Sequence, residues 1–398
     1  MANPNPLPET VETETLLVHG GGLRSQHLET SEAIYMTSGY VYGSAEEAES
    51  AFANDGSRYV YSRYANPTLS MFEERLRLLE GAEACRATAS GMAAVFAALA
   101  CQVKAGDRVV ASRALFGSCL HIINNILPRW GVRTELVDGR DLDQWRRRLA
   151  EPVKAVFVET PSNPTLDLVD LSAVAELTHR AGGLLIVDNV FATPILQKPL
   201  ALGADIVVYS GTKHIDGQGR SLGGAVLGSR SFVGTDLSPF LRHTGPALSP
   251  FNAWIMVKGL ETLSLRVQQH CRNAQEVAAF LDRHPKVART LYPGLETHPQ
   301  HALARRQMKG SGNLVAFIVA GGKAGAFRFQ NALRIVKISN NLGDAKSLIT
   351  HPATTTHQKL SPEDKKALGI DEALVRLSVG LENAGDVIGD LDQALKAV

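Results

Sequence analysis

Asp188 closes the apolar run Leu184-Leu-Ile-Val-Asp188, and Lys213 follows a second apolar run in Asp205-Ile-Val-Val-Tyr-Ser-Gly-Thr-Lys213. A free lysine is protonated at neutral pH (reference pKa ~10.4) and cannot attack a carbonyl. Joined to an aldehyde as an imine it becomes part of a catalyst, and once displaced by substrate it is a base held close to the reacting carbon. A buried carboxylate facing a pyridine nitrogen keeps that nitrogen protonated through a charge-assisted hydrogen bond, and a protonated ring draws electrons from the substrate. Ser210 and Thr212, beside the lysine, offer hydroxyls to a phosphate. An acid at one strand end and a Ser-Gly-Thr-Lys at the next therefore point to pyridoxal 5'-phosphate as cofactor. Either residue alone is a common turn or loop residue; their joint placement selects the chemical reading.

Strands alternating with helices are needed to position such a pair. Apolar runs predict strands at 108–111, 155–159, 184–188 and 205–209, with a further one at 224–227. Helical spacing predicts helices at 71–80, 91–103 and 171–181, the second preceded by the capping signal Thr88-Ala-Ser90. This alternation predicts an α/β fold with right-handed crossovers and a mostly parallel sheet. In such a sheet ligands lie outside the carboxyl ends of the strands, where Glu159–Asn163, Asp188 and Ser210–Lys213 all fall. Ser90-Gly-Met92 opens a helix whose free N–H groups favour a phosphate. Residues 1–64 are rich in Ser, Glu, Gly and Tyr and predict an extended arm; 65–250 make the cofactor-binding large domain. A long helix at 251–280 opens the smaller C-terminal α+β domain, 251–398.

Bulk properties narrow the classes. The 398 residues are 44% hydrophobic and 20% charged with a net charge of +1, which offers no attraction to nucleic acid or an anionic membrane. The longest apolar run, 91–101, falls short of the ~20 residues of a membrane span. Residues 1–6 lack the basic and apolar pattern of a secretory signal. Cys85, Cys101, Cys119 and Cys271 form no CxxC pair, and the first three, in or beside apolar runs, read as reduced core thiols of a cytoplasmic protein.

Six motifs in order, over about 56–383, carry a resemblance: Tyr61-Ser-Arg63 with Asn66-Pro-Thr68, Ala89-Ser-Gly-Met92, Glu159-Thr-Pro-Ser-Asn-Pro164, Val187-Asp-Asn189, Ser210-Gly-Thr-Lys213 and Arg376-Leu-Ser-Val-Gly-Leu-Glu382. With them the chain resembles the Cys/Met-metabolism family of pyridoxal-phosphate enzymes, of the type I (aspartate aminotransferase-like) fold. The resemblance implies that Lys213 is the cofactor-bearing lysine and Asp188 the ring-nitrogen partner. It implies Gly91, Met92, Ser210 and Thr212 as phosphate ligands. Tyr61 and Arg63 resemble the pair that reaches the cofactor phosphate of a neighbouring subunit, so a homotetramer of dimers with shared sites is expected. Asn163 and Arg376 resemble the groups that hold the substrate's α-carboxylate, a task suited to a planar guanidinium.

Two positions depart from the family pattern. Many members stack a tyrosine on the cofactor ring; Leu115-Phe-Gly-Ser118 has Phe116 there, which can stack but has no hydroxyl. Asn341-Leu-Gly343 stands where lyases often have Ser-Leu-Gly. With Asp344-Ala-Lys-Ser-Leu348 and His351-Pro-Ala-Thr-Thr-Thr-His357, this region looks more like the family's homoserine-ester sulfhydrylases, and Asn341 joins the substrate-binding candidates. The run Thr212–Arg220 points to their succinyl-ester branch. The competing readings are a cystathionine γ-synthase, an acetyl-ester sulfhydrylase or a γ-lyase of the same fold. A nucleotide-binding protein is disfavoured because Gly20-Gly-Gly22 follows no strand and GxxxxGK[ST] is missing. A metal site at His351 and His357 lacks HExxH, so these read as solvated or structural histidines.

Overall fold

The computed structural model describes residues 7–8, 10–53 and 58–398; the reading of residues 1–6 and the start of the resemblance at Gly56 lie outside them. Seven strands form one mixed sheet: Ala84–Thr88 (β1), Arg108–Ser112 (β2), Arg133–Val137 (β3), Ala155–Glu159 (β4), Leu184–Asp188 (β5), Ile206–Ser210 (β6) and Gly224–Gly228 (β7). Their order is β1-β7-β6-β5-β4-β2-β3. From β3 to β6 all neighbours are parallel, whereas β7 is antiparallel to β6 and β1. The five strands expected from apolar runs are present. β1 and β3 escape that reading because Arg86, Arg133 and Glu135 interrupt them, as befits strands at a sheet edge rather than ones buried on both faces.

The central strands are sandwiched. Phe157 of β4 packs with Ala97 and Leu99 of the helix Gly91–Ala100, while Val156 and Val158 face Trp145, Leu171 and Val174 on the opposite side. Full burial of each such side chain contributes ~1.5–3 kcal/mol, so the strand ends are rigid mounts. A second sheet is built from Val287–Leu291 (β8), Leu314–Val319 (β9), Lys337–Ile338 (β10), Leu348–Thr350 (β11) and Leu374–Ser378 (β12), in the order β10-β11-β12-β9-β8. β12 brings Arg376 to the first sheet's edge.

Two expectations need correction. The single helix at 251–280 is two, Pro250–Glu261 and Leu263–Asp282, broken at Thr262. The Arg266 guanidinium takes the Gly259 carbonyl at 2.6 Å, the oxygen a continuous helix would offer to the Leu263 N–H. Gly259 itself lies against the Ile215 carbonyl, so tertiary packing overrides helical periodicity. Nor is 1–64 extended throughout. Thr13–His19 and Ala45–Ala53 are helical, Leu17 is buried in a core cluster, and Glu32 binds Arg75 at 2.6 Å in a buried ion pair.

Candidate active site

Because β4, β5 and β6 are parallel, their carboxyl ends lie along one edge. Glu159 is the cross-strand partner of Asp188, and Ser210 ends β6 two residues beyond Val208, the partner of Asp188. The helix Gly91–Ala100 points its N-terminus at the same edge. Ser90 caps it, its Oγ accepting from Ala93 N at 3.2 Å. A Cβ on Gly91 would stand 2.5 Å from Ser210 Cβ, so only glycine lets the helix end approach β6 this closely. The open N–H groups of that first turn, with the helix dipole, form an anion site.

A cavity of about 240 Å³ opens at this edge. Lys213, in the turn after β6, enters it, and its Nζ donates to Asn341 Oδ1 at 2.6 Å. Burial, and then the charge of Arg376, lowers the Lys213 amine to about 8. Asp188 is 8% exposed, and among the described residues its carboxylate accepts one hydrogen bond, from Val190 N at 3.1 Å. Burial holds it above the ordinary carboxylate range. Glu159 is raised by burial and then by the charge of Asp188, against the two backbone N–H bonds it accepts and the charge of Arg376, which favour its carboxylate form. Arg376, 2% exposed, donates from Nη1 to Asn163 Oδ1 at 2.8 Å and from Nη2 to the Asn340 carbonyl at 3.0 Å; its Nε has no partner among the described residues.

Of the residues expected from sequence, Gly91, Met92, Ser210 and Thr212 border the cavity on the helix side. Thr212 Oγ1 accepts from Gly223 N at 3.1 Å and so also ties down the entry to β7. Phe116 forms another wall while packing on the core behind it. Asn163 and Arg376 close the far side, and Asn341 joins through Lys213. Tyr61 and Arg63 are not brought in. Both are exposed, Arg63 stacks over the Tyr61 and Tyr64 rings, and its Nη1 donates to the Arg242 carbonyl.

Sequence reading gave no role to Glu159 or Asn340 and left His351 and His357 between solvated and structural. Glu159 was legible only as a member of a strand-end segment, although its position mirrors that of Asp188. Asn340 acts through its backbone carbonyl, which side-chain type does not reveal. His357 is 1% exposed, with Nδ1 paired to Thr356 Oγ1 at 2.8 Å, and His351 pairs with Thr354 Oγ1 and the Glu372 carbonyl; both are therefore structural rather than solvated.

The residues present fit pyridoxal phosphate. Two buried carboxyls stand side by side at the ends of β4 and β5, and a protonated ring nitrogen would supply the missing positive charge. A lysine of lowered basicity faces them, and a helix N-terminus offers a phosphate cradle that no larger residue at position 91 would leave open. A parallel-centred sheet carrying these groups at its carboxyl edge defines an enzyme of the type I pyridoxal-phosphate fold. More narrowly, the chain belongs to the family described as Cys/Met metabolism PLP-dependent enzyme, whose model matches residues 14–396. An O-succinylhomoserine sulfhydrylase of Mycobacterium tuberculosis is 57% identical over 396 residues, 98% of each chain. One of Pseudomonas aeruginosa is 48% identical, covering 97% of this chain and 95% of its own. A solved structure from Campylobacter jejuni, carrying N'-pyridoxyl-lysine-5'-monophosphate, superposes with a TM-score of 0.92 at 33% identity, covering 97% of this chain and all of that one.

Proposed function

We propose that this chain catalyses a γ-replacement in methionine biosynthesis: O-succinyl-L-homoserine and hydrogen sulfide give L-homocysteine and succinate. The substrate comes from the two relatives that bear that activity in their names. The observation that carries the chemistry is the lysine of lowered basicity set beside a buried carboxylate clamp.

Pyridoxal phosphate, when bound, supplies the electron sink that acidifies the substrate's α-carbon. Asp188 would stabilise the proton on its ring nitrogen, Phe116 would pack against the ring, and Gly91, Met92, Ser210 and Thr212 would hold the phosphate. Arg376 and Asn163 grip the α-carboxylate and set the α-C–H toward Lys213. With its amine near pKa 8, Lys213 is matched to proton transfer near neutral pH. It takes the α-proton first, because the γ-leaving group is two bonds from the activated carbon. A β-proton follows, succinate departs, hydrosulfide adds at the γ-carbon, and the protons are then returned to the β- and α-carbons. Asn341 Oδ1 orients the amine between these transfers.

Hydrosulfide is favoured over cysteine because cysteine would bring a second charged amino-acid group that must be paired on burial. Among the described residues lining the cavity, the cationic side chains are Lys213 and Arg376, both already committed. Assembly as a homotetramer of site-sharing dimers is supported by the outward-facing Tyr61 and Arg63 and by exposed apolar residues of the arm such as Met36, Val41 and Phe52. A division near 250 is supported by the two separate sheets, whereas Leu17 and Glu32 pack the arm onto the large domain. No helix among the described residues is long and apolar enough to cross a membrane, and a cytoplasmic location fits four free cysteines. The test is a turnover panel of O-succinyl- and O-acetylhomoserine, each against sulfide and cysteine. Cystathionine formed with a higher kcat/KM than homocysteine would overturn the assignment.

A further inference from the structure

Glu159 is a buried charge-bearing side chain at the centre of the site to which the reaction above gives no task. Its two carboxyl oxygens are divided between two loops. Oε2 accepts from Phe116 N at 2.8 Å and Oε1 from Asn163 N at 2.9 Å. Phe116 forms one wall of the cavity, and Asn163 is half of the carboxylate clamp. The other half, Arg376, is the positive group acting on Glu159, after burial, the Asp188 charge and these two N–H bonds. Arg376 comes from β12 of the second sheet, whereas Phe116 and Asn163 follow β2 and β4 of the first. One carboxylate thus bonds two loops, and Arg376, bonded to the Asn163 side chain, brings a third segment to the same point.

We propose that Glu159 is a positioning residue: as a carboxylate it fixes Phe116 and Asn163 through their backbone N–H groups and offsets the buried charge of Arg376, so that the α-carboxylate clamp is aligned with Asp188. Charge-assisted bonds to backbone N–H groups are short and directional, and a guanidinium buried without a counter-charge is held at high cost. His357 also meets the backbone of both loops, at Asn163 and Leu115, but burial lowers its imidazole to about 4, so it is neutral near pH 7 and carries no charge to the clamp. The loop Thr354–His357 braces the same segment from outside: a Cβ on Gly117 would stand 3.0 Å from the Thr356 carbonyl. That contact involves no charge, so electrostatic alignment falls to Glu159. The inference rests on the reading of Arg376 and Asn163 as the α-carboxylate clamp.

The test compares two amines on the holoenzyme, glycine and methylamine, which differ by the carboxylate, each titrated through the change in the visible absorption band. Wild type binds glycine more tightly than methylamine. In Glu159→Gln, of equal size, one amide oxygen cannot serve both N–H groups and the charge opposite Arg376 is gone. The preference for glycine over methylamine is expected to fall about tenfold, methylamine affinity is unchanged, and in turnover KM rises with little change in kcat. An unchanged preference in the variant overturns the role of Glu159 alone. Equal affinity for both amines in wild type overturns the clamp and the inference with it. Where Glu159→Gln does not yield soluble, cofactor-loaded protein, Glu159→Gln/Arg376→Gln decides: recovery supports charge offset, and no recovery overturns it.

Discussion

The carboxyl edge of β4–β6 and the segment 58–64 hold their candidate functional residues in opposite ways. At the strand ends, Glu159 and Asp188 are buried, hydrogen-bonded and fixed by a core that covers both faces of the sheet, with Arg376 of β12 buried opposite them. Along 58–64, Tyr61 is 41% exposed and Arg63 rests on neighbouring tyrosines and a carbonyl. The first region completes its contacts within one chain. The second leaves Tyr61 and Arg63 facing outward, away from the cavity of their own chain. The difference separates what one chain builds from what the proposed assembly would add.

Experiments that break one region and spare the other sharpen this contrast. The largest effect is expected for Lys213→Ala, which removes both the cofactor attachment and the base: turnover should fall by about 10³-fold or more. Borohydride should then fail to fix the yellow band that it fixes in wild type; undiminished fixation in the variant would remove Lys213 from its role. Next comes Asp188→Asn, with kcat lower by about 10²-fold and KM little changed, since the loss lies in the activated state. Wild-type turnover in that variant would refute the ring-nitrogen assignment.

Arg63→Ala probes the outward region. It should weaken cofactor retention, read by dialysis against buffer, while leaving the Tm of the apo-protein nearly unchanged. Co-assembly of Arg63→Ala with Lys213→Ala chains should recover about a quarter of wild-type activity, because random pairing leaves half the dimers mixed and each mixed dimer one intact site. Absence of complementation would place Arg63 in its own chain's site.

The smallest expected effect is on stability. Burial lowers the Lys213 amine to about 8 in the folded apo-protein, below its value of ~10.4 in an unfolded chain. Between those values the unfolded chain binds more protons, so apo-protein stability should rise with pH from about 8 to 10.4, by on the order of 1–2 kcal/mol after screening. Lys213→Met should lack this rise. Parallel Tm profiles for the two apo-proteins would show that the amine is not desolvated.

The strand-end residues were legible because a parallel sheet has a simple grammar: a continuous apolar run, then a polar residue at the carboxyl edge. Asp188 and Lys213 follow it, and the motif Glu159-Thr-Pro-Ser-Asn-Pro164 follows it too. The break at Thr262 was not legible, because helical spacing runs through it and only Arg266, reaching for the Gly259 carbonyl, ends the helix. The packed helices of the arm were hidden by weak periodicity; Leu17 and Glu32 are held by partners far along the chain.

Residue type and order by themselves determined the chemistry available here, since an amine, an acid, a guanidinium and a glycine-opened helix have properties that travel with them. Alternation of apolar runs determined the α/β class, because burial on both sheet faces leaves no other periodicity. Tertiary structure alone decided the electrostatics. The Lys213 amine is lowered by burial beside Arg376, Glu159 becomes a bridge between two loops, and Asn340 contributes a carbonyl rather than a side chain. Desolvation and charge pairing depend on distances between segments remote in sequence, and those distances exist only once the two sheets have met.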